Sequence, residues 1–100
     1  MESIQEIIGK IIILLEANDE HEWADYLEHL MHEYENSEAK VEAIKNILNI
    51  YKGGMGSFTD LVLQKDFKML VDENNQLAAL KHNLYNSCLN YCAKHNIKIE

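Results

Sequence analysis

"EWADYLEHLMHEY", residues 22–34, places Trp23, Tyr26, Leu27, Leu30, Met31 and Tyr34 at i, i+3, i+4, i+7, i+8 and i+11. That recurrence draws one apolar stripe along a helix of 3.6 residues per turn and leaves the charged residues on the other side. Asp19, followed three residues later by Glu22, repeats a capping pattern, and acids in a first turn suit the positive end of the helix dipole. An amphipathic helix of this kind needs neighbours to cover its stripe.

On the N-terminal side, Ser3 with Glu6 forms a capping box ahead of Ile4, Ile7, Ile8, Ile11, Ile12, Leu14 and Leu15. These residues cover more than one stripe, which predicts a first helix buried on most sides at the centre of the core. "ANDEHE" separates it from the second helix. On the C-terminal side "ENS" ends the second helix, Ser37 is the expected cap of a third, and Val41, Ile44, Ile47, Leu48 and Tyr51 share a face. Lys52 lies in its last turn and Gly53 where a left-handed residue is wanted. In "SFTDLVLQKDFKMLVDEN", Ser57 with Asp60 favours a short helix, while "LVLQ" and "KMLV" read equally well as two brief strands. Asp72 or Asn74 then opens a last helix with Leu77, Leu80, Leu84, Cys88 and Tyr91 inward, and Lys94, His95 and Lys98 near its negative end. The expected fold is all-α: one domain over 1–100, a compact four-helix bundle in two hairpins. It carries either a fifth short helix or two very short strands around 61–71.

One hundred residues hold one modest core. "IIGKIIILL" is interrupted by Gly9 and Lys10 and is too short to span a bilayer, and its acidic flank is unlike a secretory leader. Cys88 and Cys92 are four apart on one helical face, a poor geometry for a bridge. Free thiols of this kind fit a reducing compartment, here the cytoplasm, and the plainer reading of both is small core residues. Charge is uneven: residues 1–18 carry a net −2, 19–42 carry −8 and 43–100 carry +2, with no arginine anywhere. Nucleic-acid binding is disfavoured, because neutralising phosphates takes clustered Lys and Arg.

Three groups of residues could carry function. The segment Gly53, Gly54, Gly56, Ser57 and Asp60 could offer backbone N–H groups to an anion, with Lys52 nearby. It matches neither GxxxxGK[ST] nor a strand-led GxGxxG, and GMGS is not the GxSxG elbow, so a corner between helices is the plainer reading. His21, Asp25, Glu28 and His32 form a stripe that could hold zinc in part. One straight stripe cannot surround a tetrahedral ion, and a solvated face accounts for it, so no metal or cofactor is expected. Glu22, Asp25, Glu28, Glu33 and Glu35 make an acidic face with little internal pairing, able to steer a basic partner.

The run "AIKNILNIYKGGMGSFTDLVL" followed by "DENNQLAALKHNLYNSC" resembles a family of small bacterial proteins of uncharacterised activity with a GGMGSFNDLVL-like motif. The resemblance spans about residues 43 to 92; "IGKIIILLE" and "EWADYLE" agree more loosely. Thr59 stands in place of Asn and Gln64 in place of an aromatic, and "QKDFKML" lacks the usual Gly turn, which argues against a tight hairpin at 65–68. Members of that family look like the immunity proteins encoded beside contact-dependent growth inhibition toxins. The resemblance implies no catalytic residue. It implies a cytoplasmic, non-enzymatic protein whose partner is a cognate toxin. The charge pattern adds that this toxin is a nuclease domain with a basic cleft, met by Glu22, Asp25, Glu28, Glu33 and Glu35, with the Gly53–Asp60 segment as a second contact. Two alternatives stay open: a small ligand-binding or regulatory module using the glycine segment, and a homodimeric structural module joined through aromatics such as Tyr26 and Tyr85.

Overall fold

The computed structural model describes residues 3–52 and 58–98. Four helices, α1 (Ile4–Ala17), α2 (His21–Glu35), α3 (Lys40–Asn49) and α4 (Val71–Lys94), close into a ring in which α1 packs on α2 and α4, and α3 packs on the same two. Between α3 and α4 the chain makes a single 3-10 turn at Phe58–Asp60 and a hairpin of two-residue strands, β1 (Gln64–Lys65) and β2 (Lys68–Met69). The sequence left a short helix and two brief strands as alternatives for this connection; both are present, one after the other.

The core is apolar throughout, with no buried polar or charged side chain among the described residues. From α1 it takes Ile4, Ile7, Ile8, Ile11 and Leu15, from α2 Ala24, Leu27 and Leu30, from α3 Ile44, Ile47 and Leu48, and from α4 Leu77, Leu84, Cys88 and Cys92. Fully burying side chains of this size contributes about 1.5–3 kcal/mol each. Burial of α1 is narrower than its sequence suggests: Ile12 and Leu14 are half-buried and Ile13 is 70% exposed. In a ring of four, each helix has two neighbours, so one arc of even the most apolar helix stays in water.

The helix ends correct several capping expectations. At α1 the capping box forms as expected, Glu6 N–H donating to Ser3 Oγ at 3.1 Å and Ser3 N–H to Glu6 Oε1 at 3.5 Å. Asp19 does not cap α2. It takes φ 63 after α1, where Glu20 N–H donates to Leu15 O (2.9 Å) and Asp19 N–H to Glu16 O (3.3 Å), the bonding of a Schellman stop. A short acid can adopt this left-handed position in place of glycine, at some cost. Asn96, φ 55, ends α4 the same way: Ile97 N–H reaches Cys92 O at 2.8 Å and the Ile97 side chain packs on the core. Ser37 does not cap α3, whose N-cap is Ala39; Asn36 Oδ1 accepts from Glu38 N–H instead and turns the chain. Helix α4 begins ahead of both Asp72 and Asn74, with Leu70 at its N-cap. The expected left-handed stop at Gly53 and the Ser57 cap lie outside the described residues.

The hairpin also corrects the sequence reading. Gln64 pairs with Met69 and Lys65 with Lys68 across a two-residue turn whose central residues, Asp66 (φ 53) and Phe67 (φ 65), are both left-handed without a glycine. Two-residue hairpins favour this backbone because its twist matches that of the strands. What pins it is Asn74 in the first turn of α4: its Oδ1 accepts from Leu63 N–H (2.7 Å) and its Nδ2 donates to Leu63 O (2.9 Å), while Leu70 N–H also reaches Leu63 O (3.1 Å). One side-chain amide thus acts as a third strand, and Leu63 is held fully buried.

Candidate functional site

Successive residues on α2 are rotated by about 100°, so Glu22, Asp25 and Glu33 project away from the buried face of Ala24, Leu27 and Leu30, Glu28 lies at its flank, and Glu35 projects beside Ala24. Four of the five are exposed and Glu33 is half-buried. They are less isolated than the sequence implied. His32 lies 3.9 Å from Glu28 and 3.5 Å from Glu35, and His29 lies 4.0 Å from Glu33, each within one helical turn. Exposed pairs at this spacing contribute at most a few tenths of a kcal/mol, and the net negative charge of the arc survives them. His21 turns away to Glu16 (3.2 Å) and Asp19 (3.6 Å), so the stripe His21, Asp25, Glu28, His32 does not converge. No group of three or more His, Cys, Asp or Glu side chains able to hold a metal occurs among the described residues.

Of the glycine segment, Gly53, Gly54, Gly56 and Ser57 lie outside the described residues. Asp60 ends the 3-10 turn, exposed. Immediately past the glycines, Phe58 is fully buried, with its ring centroid 5.1 Å from Trp23 and 5.3 Å from Tyr51. Phe58 is the anchor that the sequence reading passed over.

A groove opens where the chain from Thr59 to Val62 crosses α4. It has a volume of about 380 Å³ and is lined by Tyr51, Leu61, Val62, Leu77, Ala78, Lys81 and Tyr85 among others. Lys81 sits i+4 from Leu77 on α4. Its Nζ donates to Leu61 O at 2.9 Å and stands 5.1 Å from the Phe58 ring centroid. Burial pulls its pKa down, and the nearby Asp60 carboxylate partly opposes that shift. Tyr51 donates its hydroxyl to Lys81 O at 2.7 Å, and burial pushes its phenol well up. Sequence reading missed this wall, although a lysine in step with Leu77 and Leu84 was a visible signal.

Neither cysteine is poised for chemistry. Both are buried and unbridged. Burial pushes the Cys88 thiol up to about 12, with Cys92 adding to the shift, and burial raises Cys92 while Lys45 opposes it. A thiol that holds its proton this tightly is a poor nucleophile. Among the described residues no helix is long and apolar enough to cross a membrane.

Fold and surface together define a small acidic four-helix protein with one carboxylate-rich arc and one cationic groove. By family the chain belongs to the Domain of unknown function (DUF6966), whose model matches residues 16–71. That match takes in all of α2, α3, the glycine segment and the hairpin, and stops at the first residue of α4. No curated protein and no solved structure matches the chain.

Proposed function

We propose that the protein is a cytoplasmic immunity protein that binds and neutralises a cognate bacterial toxin, a nuclease domain with a basic cleft. The observation that carries the reading is the surface of α2, where Glu22, Asp25, Glu28, Glu33 and Glu35 spread over about half of the helix circumference within a stretch of net charge −8. A nuclease must present cationic residues to a polyanion, and a compact acidic helix can occupy that cleft or its rim without doing any chemistry. Resemblance of the 43–92 region to immunity proteins adds the biological setting. The charged arc speeds encounter, by ten-fold or more at low salt, and carboxylates that become buried against the toxin contribute several kcal/mol each. Asp60 is the described member of the second, smaller contact around the glycine segment.

The test uses a cognate toxin domain identified by its capture on the tagged protein and its own nuclease activity. Reversing Asp25 and Glu28 together (Asp25→Lys/Glu28→Lys) weakens binding, flattens its dependence on salt and restores nuclease activity in the mixture. Unchanged affinity with an unchanged salt slope would remove α2 from the interface.

A further inference from the structure

The groove beside α4 shares no residue with the acidic arc, and its chemistry is of the opposite sign. The geometry points to a binding site for a small aromatic monoanion: a flat apolar body lying between the 59–62 segment and α4, with a carboxylate or similar group on Lys81.

Three observations carry it. The cavity of about 380 Å³ falls in the range of small-molecule sites, roughly 300–1,000 Å³. A second hollow of about 280 Å³, toward Leu48 and Leu89, shares Tyr51, Thr59 and Tyr85 with it. Its walls suit a flat body: Leu61, Val62, Leu77 and Ala78 are apolar, and the rings of Tyr51 and Tyr85 stand 5.0 Å apart at 55°, open to a further ring at the offset or edge-on angles aromatics prefer.

The third observation fixes the charge. Lys81 is half-buried, and among the described residues no carboxylate lies within ion-pair distance of its Nζ; its polar partner there is Leu61 O. An ammonium has three donors, so two remain for a ligand. Folding has already stripped part of the hydration shell, so an incoming carboxylate gains the attraction of a poorly screened cation without incurring that desolvation again. Burial lowers the Lys81 pKa, and the Asp60 carboxylate, beyond ion-pair distance, opposes that shift only in part. A neutral ligand would leave the ammonium without a direct counter-charge, and a cation would repel it.

The probe is 2-naphthoate, with 2-naphthamide as its neutral counterpart of the same shape. The intact protein is titrated with each while backbone amide shifts are followed by NMR. Expected are saturable shifts at Thr59, Leu61, Ala78 and His82, with the amide bound at least about ten-fold more weakly, a difference of about 1.4 kcal/mol. Lys81→Met removes the preference for the anion and Lys81→Arg keeps it. Equal binding of naphthoate and naphthamide to the wild-type protein overturns the proposal, as does the absence of saturable shifts in the groove up to about 5 mM, where even the weakest useful affinity would register. Both of those outcomes are read on unmodified protein, so they stand even if Lys81→Met does not fold. The double reversal Asp25→Lys/Glu28→Lys leaves naphthoate binding unchanged, which separates failure of this site from failure of the toxin interface.

Discussion

The outer arc of α2 carries five carboxylates in or near water, whereas the wall of the α4 groove carries one ammonium drawn half out of it. On α2 each charge is screened by solvent and touched at most by a histidine one turn away, so no single residue there contributes much to stability. Its action is collective, through a field that reaches an approaching partner. At Lys81 the balance reverses: one charge, one carbonyl and one ring face, with little water to share the load. The two regions differ in how firmly they are tied to the core. The α2 arc, the half-buried Glu33 apart, can be rewritten without touching the core, while the groove wall is built on Phe58, Tyr51 and Asn74, each of which also holds the fold together.

Substitutions can break that contrast, and the largest effect is expected at Phe58. Phe58→Ala removes a fully buried ring and costs about 3–5 kcal/mol, read as a lower urea midpoint. If any fold remains, the amides around Lys81 and around Trp23, whose ring Phe58 touches, shift while those of α2 from His29 to Glu33 stay in place. Equal disturbance of both would mean that the regions are not independent. Next comes alkaline pH. The folded state holds the Cys88 proton more tightly than the unfolded chain does, so the associated stability is present below pH 9.0 and is lost as pH rises towards about 12. Tyr34, Tyr51 and Cys92, all raised by burial, push the same way, and Lys81, lowered by burial, pushes against them. Cys88→Ala therefore flattens the fall of the urea midpoint above pH 9 without abolishing it; an unaltered slope would place the loss elsewhere.

Asn74→Ala is expected to cost about 1–3 kcal/mol, since it leaves the Leu63 amide without its acceptor in a partly buried position. Hydrogen exchange at Leu63 and along the hairpin should speed up far more than exchange in α2. Smallest is the α2 arc itself: Asp25→Lys changes stability by no more than about 0.5 kcal/mol, and the sign favours stabilisation because self-repulsion falls. A loss of 2 kcal/mol or more there would show the arc to be part of the fold's support.

The helices were legible because their apolar residues recur locally. The α2 stripe of Trp23, Leu27, Leu30, Met31 and Tyr34, and the inward set Leu77, Leu84 and Cys88 on α4, are found on the expected faces, whereas Tyr26, expected in the same stripe, is exposed. The capping residues were read less well. Asp19 and Ser37 stand where caps are common, but each has a neighbour, Glu20 or Ala39, that the tertiary path places at the helix start. The glycine-free hairpin was read against, because turn statistics do not include a partner such as Asn74 eleven residues from Leu63. Acidic residues were legible as a count and a face, whereas the histidine pairing within that face was not.

Four helices and an acidic second helix follow from patterns that repeat within one or two turns, and hydrophobic periodicity and charge are written residue by residue along the chain. Phe58 as an anchor, Asn74 as a substitute strand and Lys81 as a half-buried cation do not. Each owes its role to groups 11 to 35 residues away, and the cost of desolvating a polar atom, or the gain from burying a ring, has no value until the fold has brought those groups together.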